Sequence, residues 1–206
     1  PEAGIRDWSV TGVQTCALPI SRKKKNRPVD DGVSQDPVII PRSEHGISRK
    51  NIDEPALKVL YRLHKAGYQA CLVGGAVRDL MLGRQPKDFD VATDATPVEV
   101  AEQFRNCRLI GRRFRLAHIH AGRQIIEVAT FRAAHGELHE EHHDESRRIR
   151  RDNVYGEIHD DVWRRDFTAN ALYYNIADFS IIDYVGGAED IANKRLRLIG
   201  DQETRY

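Results

Sequence analysis

Long apolar runs, cysteines and a net charge are what this sequence lacks. No stretch approaches the roughly 18 consecutive apolar residues that a membrane helix needs, so we expect no membrane association. The 206 residues include 3 cysteines without metal-binding or redox spacing, which excludes a disulfide scaffold and favours a reducing compartment, the cytoplasm. The 32 lysines and arginines nearly balance the 31 aspartates and glutamates, so any affinity for nucleic acid must come from local clusters of charge.

The first 50 residues show little that predicts packed structure. Residues 1–20 have no helix or strand period that continues into the following segment, and residues 10–20 can be back-translated into a common sequencing-library adapter. We therefore expect residues 1–20 to be a non-native adapter scar that packs against nothing, with a natural disordered tail as the alternative. Residues 21–50 begin with a basic cluster and are expected to form a mobile arm, either solvated or in contact with RNA phosphates.

From residue 51 onward, segments with helical spacing alternate with short apolar runs. One predicted helix begins near residue 51 and ends before Gly67, and three others cover residues 76–82, 97–104 and 166–174. The predicted strands cover residues 68–73, 87–91, 107–110, 115–120, 124–131, 179–184 and 196–199. This mixture predicts that residues 51–206 form one mixed α/β domain, a small mixed sheet flanked by helices.

The glycine pair Gly74-Gly75 stands between a predicted strand and a predicted helix. Glycines let a phosphate approach the backbone, and a helix N-terminus offers unpaired N–H groups. A tight turn without a ligand explains the same pair, so the glycines alone do not decide between the two.

Three carboxylates are placed where they can act together. Asp88 and Asp90 are two residues apart on a predicted strand and so point to the same face, and Glu127 interrupts an otherwise apolar strand. Close carboxylates repel each other, and a divalent cation such as Mg²⁺ removes the conflict. We expect the strand that ends at residues 72–73 to lie beside the strands at 87–91 and 124–128, and the acids to hold two Mg²⁺ ions that serve nucleotidyl transfer. Exposed aspartates on a strand edge are the alternative.

Two other clusters are less informative. The arginine-rich segment 108–115 is either a solvated hairpin or a contact to RNA or triphosphate. The histidines at 135, 139, 142 and 143 have irregular spacing and no accompanying cysteine, so we expect no metal site in the aperiodic, mobile loop 133–150.

Three motifs, in this order, resemble the signature of the class II nucleotidyltransferases, a family that contains CCA-adding enzymes and bacterial poly(A) polymerases. They are Gly74-Gly75-x-x-Arg78-Asp79, Asp88-x-Asp90, and Arg164-Arg165-Asp166-Phe167-Thr168-x-Asn170-Ala171-Leu172. The resemblance extends over about residues 41–206. The sequences of residues 42–52 and 106–118 are similar to those of the bacterial poly(A) polymerases in particular.

The resemblance implies a role for each matching residue. Nucleotide contacts are expected from Gly74, Gly75, Arg78, Arg165 and Asn170. Asp88 and Asp90 would be catalytic metal ligands, with Glu127 as the third acid. Asp166 matches an acid regarded as catalytic, although it could bind ribose or simply belong to a capped helix start with a salt bridge.

The activity implied by the resemblance is template-independent addition of AMP from ATP to RNA 3′ ends, with Mg²⁺ as cofactor. A CCA-adding tRNA nucleotidyltransferase uses the same catalytic head and is the first alternative; a non-catalytic RNA-binding module is the second. The family continues into a base-selecting neck and an RNA-holding body, which we expect to be missing here. The chain by itself is therefore expected to be monomeric and poorly active or inactive.

Overall fold

The computed structural model describes residues 36–111, 115–132 and 155–200. The strands are β1 (Val38–Ile40), β2 (Ala70–Val73), β3 (Asp90–Thr93), β4 (Cys107–Ile110), β5 (Leu116–Ala121), β6 (Gln124–Thr130), β7 (Leu172–Asn175) and β8 (Ile181–Asp183). The α-helices are α1 (Glu54–Lys65), α2 (Gly75–Met81), α3 (Pro97–Gln103), α4 (Ile158–Val162) and α5 (Gly187–Ala192). The proposed adapter scar, the basic cluster 21–27 and the histidine-rich loop lie outside the described residues.

The described strands form one eight-stranded sheet in the order β1-β8-β7-β2-β3-β6-β5-β4. Within it, β3 and β6 run parallel, and the other paired strands run antiparallel. The mixed α/β class predicted from the sequence is confirmed. The strand that precedes the glycine pair and the two strands expected to carry the acids are consecutive in the sheet, as β2-β3-β6.

Local sequence explains why the two longer connections are helical. Helix α1 has a proline in its first turn and buries Ala56, Val59, Leu60 and Leu63 at helical spacing along one face. Helix α3 begins with a capping box, in which the Thr96 side chain and the Glu99 side chain each accept a hydrogen bond from the other residue's backbone N–H. These helices lie against the sheet and leave its opposite face for other elements.

The two faces of the sheet have separate apolar cores. One core joins α1, α2 and α3 to alternate residues of the strands, including Leu72, Val91 and Val128. The other core lies on the opposite face and includes Val73, Ala92 and residues of α4. Asp90 lies on this second face, because it is two residues from Ala92 and pairs with Val73.

Several predicted elements differ from the structure. The helix predicted over 166–174 is instead a 3₁₀ turn at Thr168–Asn170 followed by β7, since Leu172 and Tyr174 bury themselves in one core and Tyr173 in the other. The last predicted strand, 196–199, is reduced to a single bridge between Leu198 and Phe167. The strand predicted at 87–91 begins only at Asp90, so Asp88 lies in the loop before it.

The expectation that residues 21–50 form a mobile arm is wrong for the part that is described. Strand β1 pairs with β8, with Ile39 opposite Ile182. Further along, Ile47 is completely buried, and the His45 side chain hydrogen-bonds the Phe179 carbonyl at 2.8 Å. The segment is mostly polar, so its sequence pattern did not predict the short edge strand β1 or the burial of Ile47.

The start of α5 packs against the 3₁₀ turn at Thr168–Asn170, which is part of the third sequence motif. Gly187 lies directly beneath this turn, where an added Cβ would come within 2.9 Å of the Thr168 carbonyl carbon. The Thr168 hydroxyl donates to the buried Asp190 carboxylate at 2.7 Å, and Arg197 donates to the same carboxylate at 2.8 Å. The position of the 3₁₀ turn therefore depends on a close approach that only glycine permits.

We expect Gly187→Ala to lower the free energy of unfolding by about 1–3 kcal/mol, because the methyl group overlaps backbone that has no room to move. Urea unfolding followed by circular dichroism measures the change. Gly46→Ala is the matched control, because a Cβ at Gly46 meets nothing within 4 Å. Equal effects of the two substitutions would show that the close packing of Gly187 does not hold the turn.

Candidate active site

The three sequence-predicted acids line one open cleft of about 560 Å³. Asp90 and Glu127 are register partners in the parallel pairing of β3 with β6, so their side chains project side by side from the same face of the sheet. Asp88 reaches the cleft from the loop before β3. The three acids thus share one cleft, although they come from segments about 40 residues apart in sequence.

The electrostatics of the cleft disfavour three negative charges. Burial raises the pKa of the Asp90 carboxyl, and the negative charges of Glu127 and Asp88 raise it further, while Arg165 opposes the shift. The carboxylates are therefore close enough to disturb one another. Hard oxygen donors in mutual conflict suit a divalent cation such as Mg²⁺, so the residues present fit the cofactor that the sequence predicts.

Glu127 also has a partner on its other side. His118 lies opposite Glu127 in the β5–β6 pairing, and its Nε2 is 3.5 Å from Glu127 Oε1. Within residues 36–111, 115–132 and 155–200, no three His, Cys, Asp or Glu side chains already form a metal-binding group. The use of Glu127 as a third metal ligand stays a prediction.

Arg165 is fixed on the other side of Asp90 by two residues that the sequence analysis did not identify. Its Nη2 is 3.0 Å from the Asp161 carboxylate, and its Nε donates to the Tyr173 hydroxyl at 2.8 Å. The Tyr173 hydroxyl in turn donates to Asp161 at 2.7 Å, which closes a triangle of hydrogen bonds. Burial lowers the pKa of the Arg165 guanidinium, but Tyr173 and Asp161 outweigh that effect and the pKa is raised.

Arg165 lies beside the glycine pair. A Cβ added at Gly74 would be 3.8 Å from Arg165 Nη1 and 3.9 Å from the Asp90 carboxylate. Gly74 has a φ of +70°, a conformation in which other residues are strained. The strand end is therefore shaped so that the backbone, the guanidinium and the carboxylate meet at one point.

Arg78 and Asn170 complete this basic side of the site. Arg78 Nη1 donates to the Asn170 side-chain carbonyl at 2.8 Å, and Arg165 Nη1 donates to the Asn170 backbone carbonyl at 3.3 Å. Gly75 lies against the Arg78 guanidinium, since an added Cβ would be 3.4 Å from Nη2. The structure therefore brings together the five residues expected to contact the nucleotide.

Asp166, the remaining predicted catalytic residue, is exposed. Its backbone carbonyl accepts a hydrogen bond from the Ile199 N–H at 2.9 Å. Asp166 is not among the described residues that line the acidic cleft. A role for Asp166 as a ribose ligand rather than a metal ligand is consistent with this placement and stays a prediction.

The comparisons with known proteins agree in the kind of protein that they match. The family described as the poly A polymerase head domain matches residues 70–197. The poly(A) polymerase I of Salmonella typhi is 61% identical over 173 residues, which are 82% of this chain and 37% of that protein. The CCA-adding enzyme of Bacillus pumilus is 38% identical over 151 residues, which are 73% of this chain and 36% of that protein.

A solved structure shares the fold. The Bacillus stearothermophilus CCA-adding enzyme, crystallised in complex with CTP, matches with a TM-score of 0.61 and 32% identity, over 75% of this chain and 36% of that one. The chain therefore spans little more than a third of the length of the relatives it matches. The residues that match the family include strands β2 to β8, the three acids and the arginine cluster, and the chain belongs to the poly(A) polymerase head domain family.

Proposed function

We propose that this chain is the catalytic head of an enzyme that adds AMP from ATP to RNA 3′ ends. The observation that carries the proposal is the register of Asp90 with Glu127, together with the Arg165 guanidinium, which meets Asp90 at Gly74 and opposes the rise in the pKa of its carboxyl. One side of the site is suited to cations, and the other is suited to phosphates. The high identity to poly(A) polymerase I favours poly(A) addition over CCA addition.

The reaction joins the RNA 3′-oxygen to the α-phosphorus of ATP and breaks the bond between that phosphorus and the oxygen leading to the β-phosphate. The proton of the hydroxyl is lost, and pyrophosphate leaves. Two Mg²⁺ ions held by Asp88, Asp90 and Glu127 would supply the charge that favours the attacking oxygen and the leaving oxygen.

The residues of this chain contribute mainly by positioning, which is where the catalysis of phosphoryl transfer largely lies. Arg78 and Arg165 are placed to hold the triphosphate, because both guanidinium groups are tied to Asn170 and face the glycine pair. The Gly74-Gly75 backbone lets a phosphate approach closely. The base-selecting and RNA-holding parts are expected beyond this chain, so we propose that the chain alone binds Mg²⁺–ATP weakly and polymerises poorly.

The proposal extends to the cellular compartment and the oligomeric state of the enzyme. None of the helices in the described parts of the chain is long and apolar enough to cross a membrane. ATP and RNA as substrates, together with few cysteines, favour the cytoplasm. We further propose that the enzyme acts as a monomer.

Asp90→Asn in the full-length protein is expected to abolish AMP incorporation into an RNA primer in the presence of Mg²⁺, because a neutral amide cannot balance a divalent cation. RNA binding should stay nearly intact, because it depends mainly on basic residues elsewhere. Glu102→Gln on the exposed side of α3 is the matched control and should keep normal activity. Activity of Asp90→Asn near that of the wild type would refute the proposed role of Asp90 as a metal ligand.

Tyr173→Phe is expected to lower kcat/KM for ATP by about tenfold, because the hydroxyl that orients the Arg165 guanidinium is lost. Tyr174→Phe is the control on the same strand, because the buried Tyr174 hydroxyl has no hydrogen-bond partner among the described residues. Steady-state kinetics with varied ATP measure both. If the two variants behave alike, the Tyr173 hydroxyl does not orient Arg165 for the nucleotide.

The choice of RNA substrate separates the two enzymatic alternatives. The full-length protein should extend a generic RNA with ATP and should use CTP poorly. Gel analysis of products from that RNA and from unmodified tRNA lacking CCA reports both activities. Ordered addition of C, C and A to the tRNA alone would replace poly(A) addition by CCA addition, and the absence of any incorporation would favour a non-catalytic RNA-binding module.

A further inference from the structure

The acidic cleft continues along β6, away from the arginine cluster. Ile125 is two residues before Glu127 on the same face of the strand, and Arg123 lies at the hairpin turn two residues earlier. Both residues line the cleft, together with Lys87 from the loop that carries Asp88. The lining thus extends about 13 Å from Glu127 to the hairpin, at about 3.3 Å for each strand residue.

This part of the cleft combines an exposed apolar side chain with two cationic side chains. Ile125 is 49% exposed, because it projects from the face of β6 opposite to that of the buried Ile126 and Val128. Arg123 and Lys87 add two cationic side chains to the lining of the same cleft. At its far end, the Gln124 side chain donates to the Asp53 carboxylate at 2.9 Å, which fixes the hairpin to the start of α1. This part of the lining therefore combines the exposed Ile125 with two cationic side chains, and the Asp53 carboxylate at its end already has a partner in Gln124.

The two sides of the acids are not equivalent. The guanidinium groups of Arg78 and Arg165 and the glycine pair all lie on the β2 side of Asp90. Arg123, Ile125 and Lys87 line the cleft that opens over β6, on the far side of Asp90 from β2. Asp90 thus lies between a cluster suited to a triphosphate and a second pair of cationic side chains, Arg123 and Lys87.

The geometry of nucleotidyl transfer assigns an occupant to the second opening. The attacking oxygen and the leaving oxygen lie roughly in line on opposite sides of the reacting phosphorus. If the pyrophosphate portion of ATP leaves toward Arg78 and Arg165, the 3′-hydroxyl must arrive from the side of β6. The nucleotides that carry this hydroxyl then lie over Ile125.

We infer that the last nucleotides of the RNA acceptor bind in the cleft over β6, with their phosphates at Arg123 and Lys87 and a base or ribose against Ile125. This inference depends on the proposed function, because it names where the second substrate of that reaction binds. Cations position a nucleic-acid backbone without reading its sequence, and an aliphatic floor accepts any base. The subsite is therefore suited to an acceptor end of varied sequence.

The test uses the full-length protein and varies the RNA primer and ATP separately. Arg123→Ala is expected to raise KM for the primer about three- to tenfold, while KM for ATP and kcat at saturating primer change little. The slope of log KM for the primer against log salt should also fall by about 0.7, the value for one lost contact to a single strand. Ile125→Ser is expected to raise KM for the primer severalfold without changing that slope.

Matched controls lie outside the cleft. Arg105→Ala removes an exposed arginine that follows α3, and Val98→Ser changes an exposed apolar residue on α3 itself. Both should leave KM for the primer and its salt dependence unchanged. A primer with a photoreactive 4-thiouridine at its 3′ end gives an independent readout, and it should crosslink to the peptide that contains residues 116–126.

The outcomes distinguish the inference from the proposed function. If the wild type incorporates no AMP, the proposed function fails. If the wild type is active but Arg123→Ala and Ile125→Ser leave KM for the primer unchanged, the acceptor does not bind over β6. An increase in KM for ATP equal to that for the primer would place the incoming nucleotide there instead and would also overturn the inference.

Discussion

The pairing of β3 with β6 is the constraint on which the rest of the site depends. Parallel register sets Asp90 beside Glu127, and the loop before β3 adds Asp88, so folding concentrates negative charge that would otherwise remain apart. The raised pKa of Asp90 is the physical consequence. A fold that accepts this repulsion gives up some stability and gains a group of oxygen donors suited to a cation, which is a common compromise between stability and function.

The arginine cluster offsets the acids on one side. Arg165 and Asp90 both point to the space beside Gly74 where other residues have a Cβ, and Arg165 is itself held by Asp161 and Tyr173. This arrangement limits the directions in which the guanidinium can move, so a triphosphate would meet a group already in place. Asn170, which accepts hydrogen bonds from both Arg78 and Arg165, lies on the turn that packs on Gly187, so the close packing of Gly187 also helps to set the geometry of the nucleotide side.

Sequence patterns predicted the residues with chemical roles better than they predicted the framework. The isolated acids at 90 and 127 share a face of the sheet as predicted, because strand periodicity carries that information directly, whereas Asp88 reaches the same cleft from a loop and not through the predicted strand spacing. The segment 166–174 was assigned to a helix because its spacing does not show that Tyr173 and Tyr174 face different cores. Asp161 and Tyr173 were missed for a similar reason, since their hydrogen bond joins residues 12 apart across a turn. The spacing of Asp161 and Arg165, one helical turn apart, was a signal that could have indicated the ion pair.

The response of thermal stability to Mg²⁺ tests most directly whether the three carboxylates form a cation site under electrostatic strain. The measurement is the Tm of this chain with and without Mg²⁺, for the wild type, for Asp90→Asn and for the control Glu102→Gln. The account predicts that Mg²⁺ raises the Tm of the wild type and of the control, because an ion that binds the folded state stabilises it. It also predicts that Asp90→Asn has a higher Tm than the wild type without Mg²⁺, since one repelling charge is gone, and that Mg²⁺ then has little effect. A wild-type Tm that does not respond to Mg²⁺, together with a lower Tm for Asp90→Asn in its absence, would contradict the account.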